Sequence, residues 1–176
     1  QLETALKLWS ANPDKAAQFL MQAKRLGSTA LQDVRQSVST MRSEPWQERS
    51  LEAAIASLVE GFEQSNGISP ICSIILDRPI PTDVSISVYR IVQEALTNIS
   101  KYAAATELKI QLQATTAELY LLVQDNGKGF NLDENRTGFG LQGMRERTLA
   151  LDGQLAIDSL PGAGCRITAK FPLPRL

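Results

Sequence analysis

The sequence predicts an α+β domain, and three observations carry that reading. Stretches with apolar residues every three or four positions interleave with stretches of two-residue alternation, in the order α-β-α-β-β-α-β-β from Ser50 onward. Two glycine-rich segments fall in the connections between these stretches. One stretch, Ser85 to Tyr102 (SISVYRIVQEALTNISKY), pairs an apolar face with a polar face that stacks three functional groups.

The chain begins with Leu2, Leu6 and Trp9 on one side of a short helix, which ends near Ala11-Asn12-Pro13-Asp14. Asn before Pro turns a chain and also starts a helix, since Pro is tolerated in a first turn. From Asp14 to Arg42, Phe19, Ala23, Leu26, Ala30, Val34, Val38 and Met41 repeat at helical steps. That stripe is narrow and alanine-rich, and the short preceding helix cannot cover it. A partner helix from a second chain is the economical expectation, and a helix packed on its own domain is the other reading. Ser43-Glu44-Pro45 breaks the helix, which places a domain boundary between residues 1–44 and 45–176.

Ser50 to Glu63 reads as a helix with Leu51, Ile55, Leu58, Val59 and Phe62 on one face, stopped by Asn66-Gly67. Ile71 to Leu76 is Ile-rich and flanked by prolines, hence a strand. Thr82-Asp83 is placed to cap the next helix. In that helix Val84, Val88, Ile91, Val92, Ala95 and Ile99 form the buried face. At ~100° per residue, Glu94, Asn98 and Lys101 fall within an arc of roughly 60° on the other side. A solvated helix face would show the same spacing, so the glycine-rich segments downstream have to decide between surface and site.

Leu108, Ile110 and Leu112 alternate with Lys109, Gln111 and Gln113, which describes a strand with one wet face. After a turn at Ala114-Thr115-Thr116-Ala117, Leu119, Leu121 and Val123 share a parity, and the next residue in that series is Asp125. The parity aims a carboxylate at the apolar side of the sheet. An Asp before Asn-Gly also forms turns, but a buried carboxylate needs a donor, and a ligand amine would serve. The elbow Asp125 to Phe130 (DNGKGF) leads into the polar loop Asn131 to Thr137. Gly138-Phe139-Gly140-Leu141-Gln142-Gly143 then opens a helix expected over Met144 to Leu151. Exposed backbone N–H groups at such a glycine-rich helix start suit anionic phosphates. Asp152-Gly153 ends the helix, and strands Gln154 to Ser159 and Cys165 to Phe171 close as a hairpin through Pro161-Gly162-Ala163-Gly164. The GxGxxG is not the first turn of a βαβ unit, so a Rossmann reading is excluded.

Composition narrows the function classes. The net charge is −1 and no Lys or Arg run stands out, against binding of nucleic acid through a phosphate-neutralising patch. No apolar run approaches the ~20 residues that span a bilayer, which predicts no membrane contact by this piece. A membrane anchor elsewhere in a longer parent stays open. Cys72 and Cys165 lie far apart without a CxxC pattern, against a zinc site or a disulfide framework and in favour of cytoplasmic residence. The chain contains no histidine, which removes imidazole-based catalysis within it.

EALTNISKYA resembles the N box of the histidine-kinase ATP-binding domain, DNGKGF its first glycine box, GFGLQGMRER its second, and PGAGCRITAKFP its last. All four stand in the family's order between Pro45 and Leu176. The GLQGMRER wording and the helix ending LQDVRQSVSTMR resemble, within that family, sensor kinases that signal to response regulators with helix-turn-helix output domains. The resemblance implies a Bergerat-type two-layer α/β sandwich, a mixed sheet covered on one face by three helices, preceded by a truncated helical dimerisation hairpin. It implies ATP and Mg²⁺ as cofactors, with Asn98 as Mg²⁺ ligand, Glu94 polarising metal-bound water, and Lys101 near the phosphates. Asp125 would accept from the adenine exocyclic amine, and Gly127 and Gly129 would let the backbone pass close to the base. Gly138, Gly140 and Gly143 would hinge a lid over the triphosphate. Thr168 on the last strand either lines the adenine pocket or is an ordinary strand threonine.

Two departures from the family pattern stand out. Tyr102 occupies a position where this subfamily commonly has His, and the histidine that would receive the phosphoryl group is absent. The resemblance therefore implies a piece beginning after that acceptor, homodimeric in the intact protein, that binds Mg-ATP without phosphorylating itself. The rival readings are an anti-sigma-type serine kinase, which lacks the long hairpin, and a non-catalytic nucleotide-gated dimerisation module, against which the intact boxes argue.

Overall fold

The computed structural model describes residues 50–132 and 139–174, together with 9, 12, 13, 15 and 17–21. The chain divides into two units, Gln1–Gln47 and Glu48–Leu176. In the first, Pro13, Lys15 and residues 17–21 are helical, and Asn12 Oδ1 accepts from Lys15 N at 3.1 Å, so the Asn-Pro start is a side-chain cap. The rest of the hairpin expected over residues 1–44 lies outside the described residues. Among the described residues no helix is long and apolar enough to cross a membrane.

The second unit runs α1 (Leu51–Asn66), β1 (Ile71–Ile75), α2 (Thr82–Asn98), a π-helical turn (Ile99–Ala103), β2 (Leu108–Ala114), β3 (Glu118–Asp125), α3 (Phe139–Leu149), β4 (Gln154–Ser159) and β5 (Cys165–Pro172). The sheet order is β1-β2-β3-β5-β4. β1 pairs parallel with β2 and the other pairs are antiparallel, so the sheet is mixed.

Strand parity decides which face is covered. Leu108, Ile110 and Leu112 of β2, Leu119, Leu121 and Val123 of β3, and Ile167, Ala169 and Phe171 of β5 are all buried. They are cross-strand partners in register, so they form one continuous apolar face. α2 packs on β3, α3 on β4 and β5, and α1 on α2. The opposite parity, with Lys109, Gln111, Gln124, Arg166 and Lys170, is largely polar and incompletely covered, although Leu122 on it is buried. This is the α+β sandwich expected from the sequence.

α1 starts at Ser50, whose Oγ accepts from Ala53 N at 3.3 Å, and stops at Gly67, whose φ of 70° is the left-handed conformation glycine adopts without steric cost. Three expectations for the later helices are corrected. α2 has Pro81 at its N-cap position without a side-chain capping bond; Asp83, inside the first turn, accepts from Val84 N at 2.8 Å instead. The regular helix ends at Asn98, and the chain continues to Ala103 as a π turn. A wider turn rotates the chain through less angle per residue, so Lys101 departs from the line through Glu94 and Asn98. α3 begins at Phe139 rather than Met144, which places Gly140 and Gly143 inside its first turns. Glycine costs a helix ~1 kcal/mol per residue; Gly140 lies against Glu94 of α2, whereas nothing around Gly143 requires a glycine.

Candidate functional site

The helix expected to organise the site does so through contacts at two places along its length. Glu94 and Asn98 are half-buried on its last turns. Opposite Glu94 lies Gly140: a Cβ there would collide with the Glu94 carboxylate, so the Glu94 side chain as it stands occupies the space that the missing Cβ leaves on α3. At the far end, Ala103 closes the π turn. Its carbonyl accepts from Lys128 N at 2.8 Å. A Cβ at Gly127 would lie 2.7 Å from the Ala103 Cβ and 2.8 Å from Asp125 Oδ1, and would collide with the Ala103 carbonyl oxygen. Both glycine-rich segments thus bear on the same helix, one on Glu94 and one on its terminus.

Asp125 ends β3 with 5% of its surface exposed, as its parity predicts. Its Oδ1 accepts from Gly127 N at 2.8 Å. Burial raises its pKa above the usual carboxylate range, while backbone N–H groups of Gly127 and Cys165 pull it partly back. The loop behind it is packed as tightly. Gly129 has a φ of 56° and its missing side chain makes room for the Leu160 carbonyl; Gly164, at 73°, makes room for the Asp125 carbonyl. Ser159 Oγ donates to Gly164 O at 2.8 Å and accepts from Phe130 N at 3.0 Å, which ties the β4–β5 hairpin to this loop. The arrangement offers a buried acceptor at a strand end and, one helix away, a carboxylate and an amide.

Lys101 is exposed on the π turn, beside Tyr102. Gly143 has no steric need to be glycine, since a Cβ would meet only the Arg147 guanidinium at 3.4 Å. Gly138 lies outside the described residues. Thr168 pairs with Leu122 and Ala156, on the sheet face opposite Asp125, so of its two readings the ordinary strand threonine stands.

Residues 83–175 match the family described as histidine kinase-, DNA gyrase B-, and HSP90-like ATPase, from the first turn of α2 to beyond the end of β5. The chain belongs to that family. It is 31% identical over 162 residues to the signal transduction histidine-protein kinase/phosphatase DegS of Brevibacillus brevis, covering 91% of this chain and 42% of the relative. It is 40% identical over 100 residues to the sensor protein VraS of Staphylococcus aureus strain COL, covering 56% of this chain and 29% of that protein. The chain therefore spans less than half the length of these curated relatives. Among solved structures, the histidine kinase AdeS of Acinetobacter baumannii is similar in fold, with a TM-score of 0.62 at 18% identity over 99% of this chain and 94% of that one. The histidine kinase domain of the Erythrobacter litoralis EL346 blue-light activated kinase gives 0.56 at 20% identity, over 70% and 61%.

In this ATPase fold, two residues beside Asp125 escaped the sequence reading. Cys165 is its direct partner across β3 and β5 and shares the buried parity of Ile167, Ala169 and Phe171. Counting that parity back from Phe171 would have chosen Cys165 over Thr168. Burial, and then the Asp125 charge, push the Cys165 thiol up to about 11. At neutral pH it stays protonated and a poor nucleophile. Iodoacetamide at pH 7.5 should therefore label the exposed Cys72 first, read by peptide mass spectrometry. The second is Asn126, whose side chain accepts from Thr106 N and Glu107 N, both at 2.9 Å, and donates to Thr106 Oγ1 at 2.9 Å. An Asn in Asp-Asn-Gly reads as a turn former, and only the folded chain brings those partners within reach.

Proposed function

We propose that this chain is the ATP-binding catalytic part of a two-component sensor histidine kinase, and that Asp125 reads the adenine while the end of α2 handles the phosphates. The observation that carries the proposal is the buried Asp125 carboxylate, held by backbone N–H groups beside the helix that bears Glu94 and Asn98. Among the described residues its partners are backbone N–H groups, and a buried carboxylate of this kind suits a ligand N–H donor, such as the exocyclic amine of adenine.

The donor set also fits Mg²⁺ held largely by phosphates and water. Among the described residues no group of three or more His, Cys, Asp and Glu could hold a metal ion by itself. Asn98 would supply one amide oxygen, in keeping with an ion that dehydrates reluctantly. When bound, the metal supplies neutralisation of the β- and γ-phosphate charge. Glu94 would accept hydrogen bonds from water at that end, and Lys101, exposed on the π turn, would extend its positive charge toward the phosphates. The first described turn of α3, at Gly140, would add backbone N–H groups for an anion.

In the whole protein the γ-phosphoryl group would pass to a histidine and then to an aspartate of a response regulator with a helix-turn-helix output. The acceptor is not among these 176 residues, which contain no histidine. Residues 1–44 would form part of a dimerisation hairpin joining two copies, and the chain would work in the cytoplasm. The relatives named as sensor proteins and histidine kinases favour this reading over a serine kinase of the anti-sigma type.

Calorimetric titration of this chain with ATP plus Mg²⁺ tests the proposal. Saturable one-to-one binding that weakens when Mg²⁺ is chelated is the expected result. A folded chain that takes up no nucleotide would refute it.

A further inference from the structure

The three consecutive alanines at the end of the π turn, Ala103-Ala104-Ala105, carry no polar side chain that could anchor the chain as it turns into β2. Ala104 nevertheless holds a left-handed φ of 50°, a conformation costly for a residue with a Cβ. The anchor comes from the loop after β3. Asn126 spends both Oδ1 lone pairs on Thr106 N and Glu107 N and one Nδ2 proton on Thr106 Oγ1, all at 2.9 Å. Its own N–H reaches Glu107 O at 3.3 Å. An asparagine that only shapes a turn bonds its own backbone two residues on. Asn126 bonds instead to residues 19 and 20 positions earlier.

We infer that Asn126 is a positioning residue that holds the end of α2 in register with the Asp125 pocket, so that the base and phosphate ends of the site are built as one unit. The inference rests on the nucleotide reading proposed above. Asp125 precedes Asn126 on the same strand end, and Gly127 follows it, packed on Ala103. Lys128 N donates to Ala103 O at 2.8 Å. Three consecutive residues, Asn126, Gly127 and Lys128, therefore join the base loop to the segment Ala103–Glu107, and that segment continues the helix bearing Glu94 and Asn98. Without the Asn126 side chain, β3 still holds Asp125 through its strand pairing, while the segment after the π turn keeps only backbone anchors.

The test compares two ligands that differ in how much of the site they span. Adenosine, followed by amide NMR shifts, reads the Asp125 end alone; Mg-ATP, followed by calorimetry, spans both ends. In Asn126→Ala, Mg-ATP affinity should fall by about tenfold while adenosine affinity changes by less than about threefold. Asn126→Asp keeps both acceptor lone pairs and lets the Thr106 hydroxyl donate back, so it should restore most of the Mg-ATP affinity. Thr106→Val loses only the Nδ2 partner and should stay within about twofold of the parent chain. If Asn126→Ala does not fold, Asn126→Ser, which keeps one acceptor, should show the same selective loss at smaller size. Equal weakening of both ligands, or of neither, in the folded variants would overturn the inference and leave nucleotide binding standing. Failure of the parent chain to bind Mg-ATP would remove the nucleotide reading itself.

Discussion

Replacing Asp125 by Asn lowers ATP affinity by about 10- to 100-fold, the range for losing a hydrogen bond to a charged group. The same substitution leaves the thermal midpoint of the ligand-free chain unchanged or raises it. The two effects part because the carboxylate is costly to the fold: burial raises its pKa, so its charged form is disfavoured in the native state. An Asn there still accepts from Gly127 N through its amide oxygen, which preserves the loop. It presents N–H protons as well, which an incoming amine cannot use.

The pH dependence follows with opposite signs for stability and binding. With the folded pKa above the unfolded one, the native state binds more protons within the window between them, so Asp125's contribution to stability falls as pH rises through it. Nucleotide affinity moves the other way, because the ionised form is the acceptor, and it should drop on acidification before ordinary carboxylates titrate. Thermal melts and Mg-ATP titrations across the acid range, compared with Asp125→Asn, measure both. A substituted chain that kept full affinity, or the same acid dependence, would show that Asp125 does not read the ligand.

Gly127→Ala abolishes measurable nucleotide binding and lowers stability by about 1–3 kcal/mol, the usual range for overpacking a tight site. The cause is space, since Gly127 is not among the glycines with positive φ. The new methyl would sit 2.7 Å from the Ala103 Cβ and 2.8 Å from Asp125 Oδ1, and would also meet the Ala103 carbonyl. Two of these atoms belong to the backbone or its first side-chain carbon, which cannot swing aside as a long side chain can. The loop must therefore part from the π turn, and the Lys128 to Ala103 hydrogen bond goes with it. Chemical denaturation checks the stability loss and calorimetry the binding. Gly143→Ala is the control, because its methyl would meet only a flexible guanidinium at 3.4 Å, and it should bind nucleotide nearly as the parent does.

Much of the site was legible because it is written in short-range pattern. Residues 119, 121, 123 and 125 alternate with wetter neighbours, and that parity alone buried the Asp125 carboxylate. The misplaced start of α3 has a different origin. Glycine punctuation suggested a loop up to Met144, yet Phe139 to Gly143 are already helical, and Gly140 lies against Glu94, a contact that no local window contains. The π turn is equally silent in sequence, since ISKYA continues a helical pattern and the departure shows only once Ala103 meets the loop after β3. Thr168 and Cys165 fall between these cases. Their parity could be counted and separates them, but that Cys165 rather than another residue of its parity lies opposite Asp125 depends on the register of β5 against β3.

The sequence by itself determined the element order, the apolar faces of β2 and β3 and the inward aim of Asp125. Helical and strand periods are local, and a one-residue slip would expose a whole buried face. Tertiary structure alone decided that both glycine-rich segments close on α2, that Cys165 lies opposite Asp125, and that Asn126 holds the turn after the π segment. Each of these depends on backbone-to-backbone distances between segments remote in the chain, and close approach of that kind leaves no periodic trace in sequence.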